Sequence, residues 1–177
     1  MPTYIALLRA INVGGRFYKM ADLRACLEES GLQQVETYIQ TGNVRFTTSM
    51  GSKVKIEKHV EGALADGCGF DVPALVLTPS ELRQVYDDAT ALDSPFAGEP
   101  RRYVTFLKTA PSEEAVKAIE SATFDGEAAT VVGDAVHVWL TVPAHTARSY
   151  NTKAHKSLVG TTRDLKVVTK LAEIWGA

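Results

Sequence analysis

Val35-Glu36-Thr37-Tyr38-Ile39-Gln40-Thr41-Gly42-Asn43-Val44-Arg45-Phe46-Thr47 contains two strands and the turn between them. Val35–Gln40 and Asn43–Thr47 are rich in β-branched and aromatic residues, and between them Thr41-Gly42 offers a glycine for the positive-φ position of a tight reversal. The segment therefore reads as a β-hairpin. Upstream, Met20, Leu23, Cys26 and Leu27 recur at helical spacing, and Gly31 stands where a left-handed cap is wanted. Further upstream, residues 3–8 form a short apolar run that reads as a buried strand. Downstream, Ile56, Val60, Ala63 and Leu64 mark a helix over about Ser52–Asp66, stopped by Gly67 and Gly69. Ala74–Leu77 is a further strand. Thr78-Pro79-Ser80-Glu81 has the form of a capping box with proline at the first helical position, so another helix starts there and runs to about Thr90.

The order is β-α-β-β-α-β, the ferredoxin-like "split βαβ" arrangement, in which helices cover one face of an antiparallel sheet. Ala91–Arg102 holds two prolines and a glycine and reads as a connection. The pattern then restarts: a strand at Tyr103–Leu107, a helix at Pro111–Ala122, and strands at Ala128–Val132 and Ala135–Leu140 joined by Gly133-Asp134. A basic region from His145 leads into one or two helices ending near Trp175. The expected fold is α+β, with two ferredoxin-like (βαββα-type) halves, antiparallel sheets and helices packed on one face. The expected division is 1–90 and 91–177.

Composition narrows the class of partner. The chain has 177 residues, 45% hydrophobic and 23% charged, with a formal net charge of −2, so any polyanion must be met by a local basic patch. Cys26 and Cys68 are too few for a disulfide framework, and His59, His137, His145 and His155 show no metal-binding spacing. The N-terminal apolar run is too short for a membrane span and lacks the basic start of a secretory signal. A cytoplasmic protein without metal, cofactor or membrane attachment is expected.

Two stretches carry candidate chemistry. Arg9–Lys19 follows a strand, turns at Asn12-Val13-Gly14-Gly15 and leads into a helix start near Met20. Such a loop presents backbone N–H groups and the positive end of a helix dipole to an anion, with Arg9, Arg16 and Lys19 adding charge. It matches neither the P-loop nor the dinucleotide fingerprint, and a purely structural reading, a tight turn with Asn12 satisfying local backbone, stands beside it. The Gln40–Asn43 turn adds amide and hydroxyl groups if it lies at the same end of the sheet. The second stretch, His145–Lys170, carries six Lys/Arg against Asp164, a formal +5. There Arg163 offers a two-pronged anion contact and Tyr150 a stacking ring, although a solvated basic face accounts for the same charges.

Three blocks, Tyr4–Gly15, Lys19–Arg24 and Thr37–Val44, are similar in order and spacing to the DUF1697 family of uncharacterised bacterial proteins, as is Thr161-Thr162-Arg163. The resemblance implies a ferredoxin-like α+β fold and no established activity. Ala10 stands where the family usually has glycine, and Asp164-Leu165 where it usually has Asn-Trp. The run His145–Gly160 is also shorter than its usual counterpart.

The resulting expectation is a binding module for an anionic ligand, a nucleotide, a phosphate metabolite or RNA. Arg9, Asn12, Gly14, Gly15, Lys19, Asn43 and Arg163 are the candidate binding residues, and no catalytic residue is assigned. The RNA-binding motif with aromatics on its strands is absent. Two alternatives are an enzyme acting on a small phosphorylated or carboxylated metabolite and a self-associating scaffold, a homodimer in its simplest form.

Overall fold

The computed structural model describes all 177 residues, and internal contacts divide the chain into two units. The first comprises Met1–Arg83 with Leu171–Ala177, the second Gln84–Lys170. The boundary thus falls seven residues before the expected one, and the last residues group with the first unit.

In the first unit, β1 (Thr3–Leu8), α1 (Met20–Glu29), β2 (Gln33–Tyr38), β3 (Asn43–Thr47), α2 (Lys53–Cys68) and β4 (Ala74–Leu77) follow the split βαβ order, and α3 (Pro79–Ala91) begins beyond β4. The sheet order is β2-β3-β1-β4, every pair antiparallel. Alternation along β1 sends Tyr4, Ala6 and Leu8 to one face, where they join Leu23, Leu27, Ile56, Val60 and Leu64 in one buried cluster. Burying such side chains contributes about 1.5–3 kcal/mol each, enough to fix which face of each helix points inward. The α3 capping box forms as expected: Glu81 N donates to Thr78 Oγ1 at 3.2 Å and Thr78 N to Glu81 Oε2 at 2.8 Å. Lys53 Nζ also donates to Glu81, at 2.5 Å. Burial opposes the charge of Glu81, but Lys53 and the Thr78 amide outweigh it and hold this carboxyl below its usual range.

The second unit repeats the topology. β5 (Arg101–Leu107), α4 (Glu113–Ser121), β6 (Glu127–Val132), β7 (Ala135–Leu140), the short α5 (Lys153–Lys156) and β8 (Gly160–Asp164) precede α6 (Leu165–Trp175). The sheet order is β6-β7-β5-β8, again wholly antiparallel. The sequence pattern alone implies βαββα followed by a helix for this half. The added strand β8 completes the second βαββαβ, pairing Arg163 with Val104 and Thr161 with Phe106. Only Thr161 and Arg163 of its five residues are fully buried, so the strand lacks an apolar run. No helix of the chain is long and apolar enough to cross a membrane.

On β7, His137 is 1% exposed, and neither of its ring nitrogens has a hydrogen-bond partner. Burial, reinforced by the nearby Arg102 charge and only partly opposed by Asp88, pulls its pKa from 6.5 down to about 4. A group whose folded pKa is depressed contributes stability above its unfolded value and loses it as pH falls through the folded one. Stability should therefore decline between pH 6.5 and 4 by about 2 kcal/mol, allowing for partial solvent relaxation around the ring. Denaturant midpoints measured from pH 7 to 4 are expected to show this slope in the native chain and to flatten over that window in His137→Val.

Candidate functional site

Asn12 organises the glycine loop of the first unit. Its Nδ2 donates to Gln40 O at 2.7 Å, and its Oδ1 accepts from Tyr18 N at 2.7 Å. One amide therefore ties the start of the loop to its end and both to the β2–β3 turn, so the Gln40–Asn43 turn does lie at the same end of the sheet. Leu8 N donates to Gly42 O at 2.8 Å, and Arg9 N to Pro73 O at 2.9 Å, which anchors the loop's root on both sides of β1. Between those ties, Arg16 N closes a turn on Val13 O at 3.1 Å, with Gly14 at φ 61° and Gly15 at φ 82°.

The charged groups stay outside. Arg9, Arg16 and Lys19 are exposed, and residues 9–21 and 39–43 include no acid. Arg16 is fixed in place, its guanidinium 5.1 Å from the centre of the Phe70 ring. Lys19 occupies the N-cap position of α1 but supplies no side-chain acceptor, and the first intrahelical bond is Leu23 N to Lys19 O at 2.9 Å. The amides of Met20, Ala21 and Asp22 precede that bond, so the helix start keeps its partial positive charge. Behind it, burial and hydrogen bonding with Cys26 push the Tyr18 hydroxyl up to about 12, keeping it a neutral donor.

The backbone here is strained. Ala10 sits at φ 56° and Ile39 at φ 49°, left-handed conformations that cost a residue with a Cβ about 1–2 kcal/mol. Where the family usually has glycine, Ala10 adopts the glycine-like angle. Such outliers persist only where surrounding bonds over-determine them: the Leu8 and Asn12 bonds bracket Ala10, and the bonds to Tyr38 O from Asn43 and to Gln40 O from Asn12 bracket Ile39.

The remaining expected residues play other parts. Asn43 is 0% exposed, and its Nδ2 donates to Tyr38 O at 3.0 Å and Thr41 Oγ1 at 2.9 Å, so its side chain closes the turn. Arg163 belongs to the second unit and is 7% exposed. Its Nη1 donates to Thr161 Oγ1 at 2.8 Å and Thr162 O at 3.0 Å, and burial lowers its pKa to about 10. The structure does not present this guanidinium to solvent. Nor is the basic segment an open stripe. Glu127 accepts Arg148 N at 2.7 Å and Ser149 N at 2.8 Å, Arg148 lies over the Phe124 ring, and Tyr150 packs edge-on against His155. Burial raises the Tyr150 hydroxyl above its ordinary range. A separate cleft of about 340 Å³, bordered by Pro100, Arg101, Thr141 and Pro143, gathers none of the expected residues.

One residue escaped the sequence reading. Phe17, between Arg16 and Lys19, is 62% exposed. Its signal was an aromatic inside a basic, glycine-bearing loop, but spacing alone does not show whether such a ring points inward.

Among solved structures, the conserved bacterial protein SP0830 from Streptococcus pneumoniae is similar over 100% of this chain and 99% of its own, with a TM-score of 0.69 and 22% identity. At that identity the likeness speaks for the fold. No curated protein matches the chain. The family model for DUF1697, a protein of unknown function, matches residues 1–137, which include the whole loop and turn and stop short of the basic segment. On that match the chain belongs to the DUF1697 family.

Proposed function

We propose that the first unit is a binding module for a phosphate-bearing anion, received by the Arg9–Lys19 loop beside the Gln40–Asn43 turn. The observation that carries this reading is the use of Asn12. Both of its amide atoms are spent pinning the loop to the turn, while Arg9, Arg16 and Lys19 remain exposed around an α1 start whose nearest acids are Asp22 in its first turn and Asp71 beside Arg16. A loop needed only to connect β1 to α1 has no use for three cations on its rim. Arg9 and Lys19 meet the anion's charge, Gly14 and Gly15 let backbone amides approach it closely, and the α1 dipole adds to the attraction.

Inorganic tripolyphosphate is a suitable probe, read by isothermal titration against the native chain and Arg9→Gln/Lys19→Gln. Both side chains are exposed, so the fold is expected to survive. Losing charged hydrogen bonds worth about 1.5–3 kcal/mol each should weaken binding at least tenfold. Equal affinity in the two proteins, or none in either, contradicts the reading.

A further inference from the structure

The rim of this loop is apolar as well as cationic. Phe17 is 62% exposed, Val13 58% and Ile39 43%, three of the seven exposed large apolar side chains of the chain. Asn12 ties together the backbone segments that carry them. Val13 follows Asn12 itself, Phe17 precedes Tyr18, whose amide Asn12 accepts, and Ile39 precedes Gln40, whose carbonyl Asn12 engages. Arg9, Arg16 and Lys19 lie on the same short segments, and Arg16 is pinned on Phe70, beside the residue that carries the free ring.

An inorganic anion has no use for an exposed aromatic ring, whereas a nucleobase does. We propose that the loop binds single-stranded nucleic acid, with Phe17 as a stacking platform for a base and Arg9, Arg16 and Lys19 on the flanking phosphates. This deepens the anion-binding reading and rests on it. Charge complementarity selects the occupant: three cations, Arg9, Arg16 and Lys19, against Asp22 and Asp71 leave the surface net positive, which suits a polyanion. The ring selects the single strand, because bases stacked inside a duplex offer it no free face. Stacking of this kind tolerates any sequence, because every base has a π-face.

The test is fluorescence anisotropy with labelled twelve-nucleotide U and dT strands and an abasic twelve-nucleotide strand, alongside the tripolyphosphate titration. Stacking worth about 1–3 kcal/mol per base predicts that Phe17→Ala weakens U or dT binding about 5- to 150-fold. The same variant should leave abasic and tripolyphosphate affinities unchanged, and Phe17→Trp should restore the loss. Tighter binding of U than dT would add a contact to the 2′-hydroxyl and still support the proposal. Strands bound equally by Phe17→Ala and the native chain, or an abasic strand bound as tightly as U and dT, would overturn the platform while tripolyphosphate binding left the anion site standing. Polyglutamate bound with the same dependence on Phe17 would also overturn it, assigning the surface to acidic peptides. Loss of tripolyphosphate binding together with all strands removes both readings.

Discussion

Gly42→Ala is expected to cost the first unit about 2–5 kcal/mol. Two independent terms add. Gly42 sits at φ 82°, where a Cβ costs about 1–2 kcal/mol. That Cβ would also stand 2.7 Å from Leu8 Cβ and 3.0 Å from Ile11 Cγ2. Leu8 is 0% and Ile11 1% exposed, so neither can swing aside into solvent, and overpacking of this kind costs about 1–3 kcal/mol. The damage would reach the site, because Gly42 O also accepts the Leu8 amide at the loop's root. The two tryptophans allow each unit to be followed separately: Trp175 groups with the first unit and Trp139 with the second. In a Trp139→Phe background, denaturant unfolding followed through Trp175 should show the full loss, and a change below about 1 kcal/mol would show that the turn relaxes more freely than its burial implies.

Gly160→Ala is the corresponding expectation for the second unit, at about 3 kcal/mol or more. The cause is close approach alone, since no positive φ is involved. A Cβ here would overlap the carbonyl oxygen of Phe106 and come within 3.0 Å of Leu107 Cδ2. The carbonyl is backbone on the central strand β5, so the overlap cannot be relieved by a rotamer change and must push β8 away. That movement would expose Arg163 and break the β5–β8 pairing, including the Thr105–Thr162 hydroxyl contact at 2.8 Å. In a Trp175→Phe background, unfolding followed through Trp139 should shift to markedly lower denaturant, with faster amide exchange across Gly160–Asp164. Native-like protection of those amides would contradict the account.

The elements that could be read from sequence were those whose signals are local. The β2–β3 hairpin is marked by β-branched residues around one glycine and forms with its first strand two residues earlier than expected, whereas the α3 start, marked by a reciprocal Thr78–Glu81 pair, forms where expected. β8 escaped because its evidence is non-local. Gly-Thr-Thr-Arg-Asp has no apolar alternation, and only its pairing with β5 turns Thr161 and Arg163 inward. The same blindness affected the site: counting charges between His145 and Lys170 suggested an exposed basic stripe, whereas Glu127 ties down its start and a strand buries Arg163. For Asn12, sequence offered two readings, backbone satisfaction and ligand contact. Its hydrogen bonds show the first, and the loop that they pin to the turn is the basis for proposing the second at the neighbouring cations.

The repeated sheet order, β2-β3-β1-β4 and β6-β7-β5-β8, gives two units of one topology with unlike loops after their first strands. In the first unit that connection is the glycine-bearing, strained and cationic Arg9–Lys19 segment. In the second it is Lys108–Ser112, whose Ser112 caps α4 by accepting the Ala115 amide at 3.1 Å. The Ser112 cap of α4 and the absence of a side-chain cap on α1 are the reason an anion site is proposed on the first unit alone.

The most direct measurement is amide chemical-shift mapping of the native chain during titration with tripolyphosphate. Saturable shifts confined to residues 9–22 and 39–43, largest at Gly14, Gly15 and the α1 start, are the expected result. Shifts centred on residues 145–170, or none at saturating probe, would contradict it.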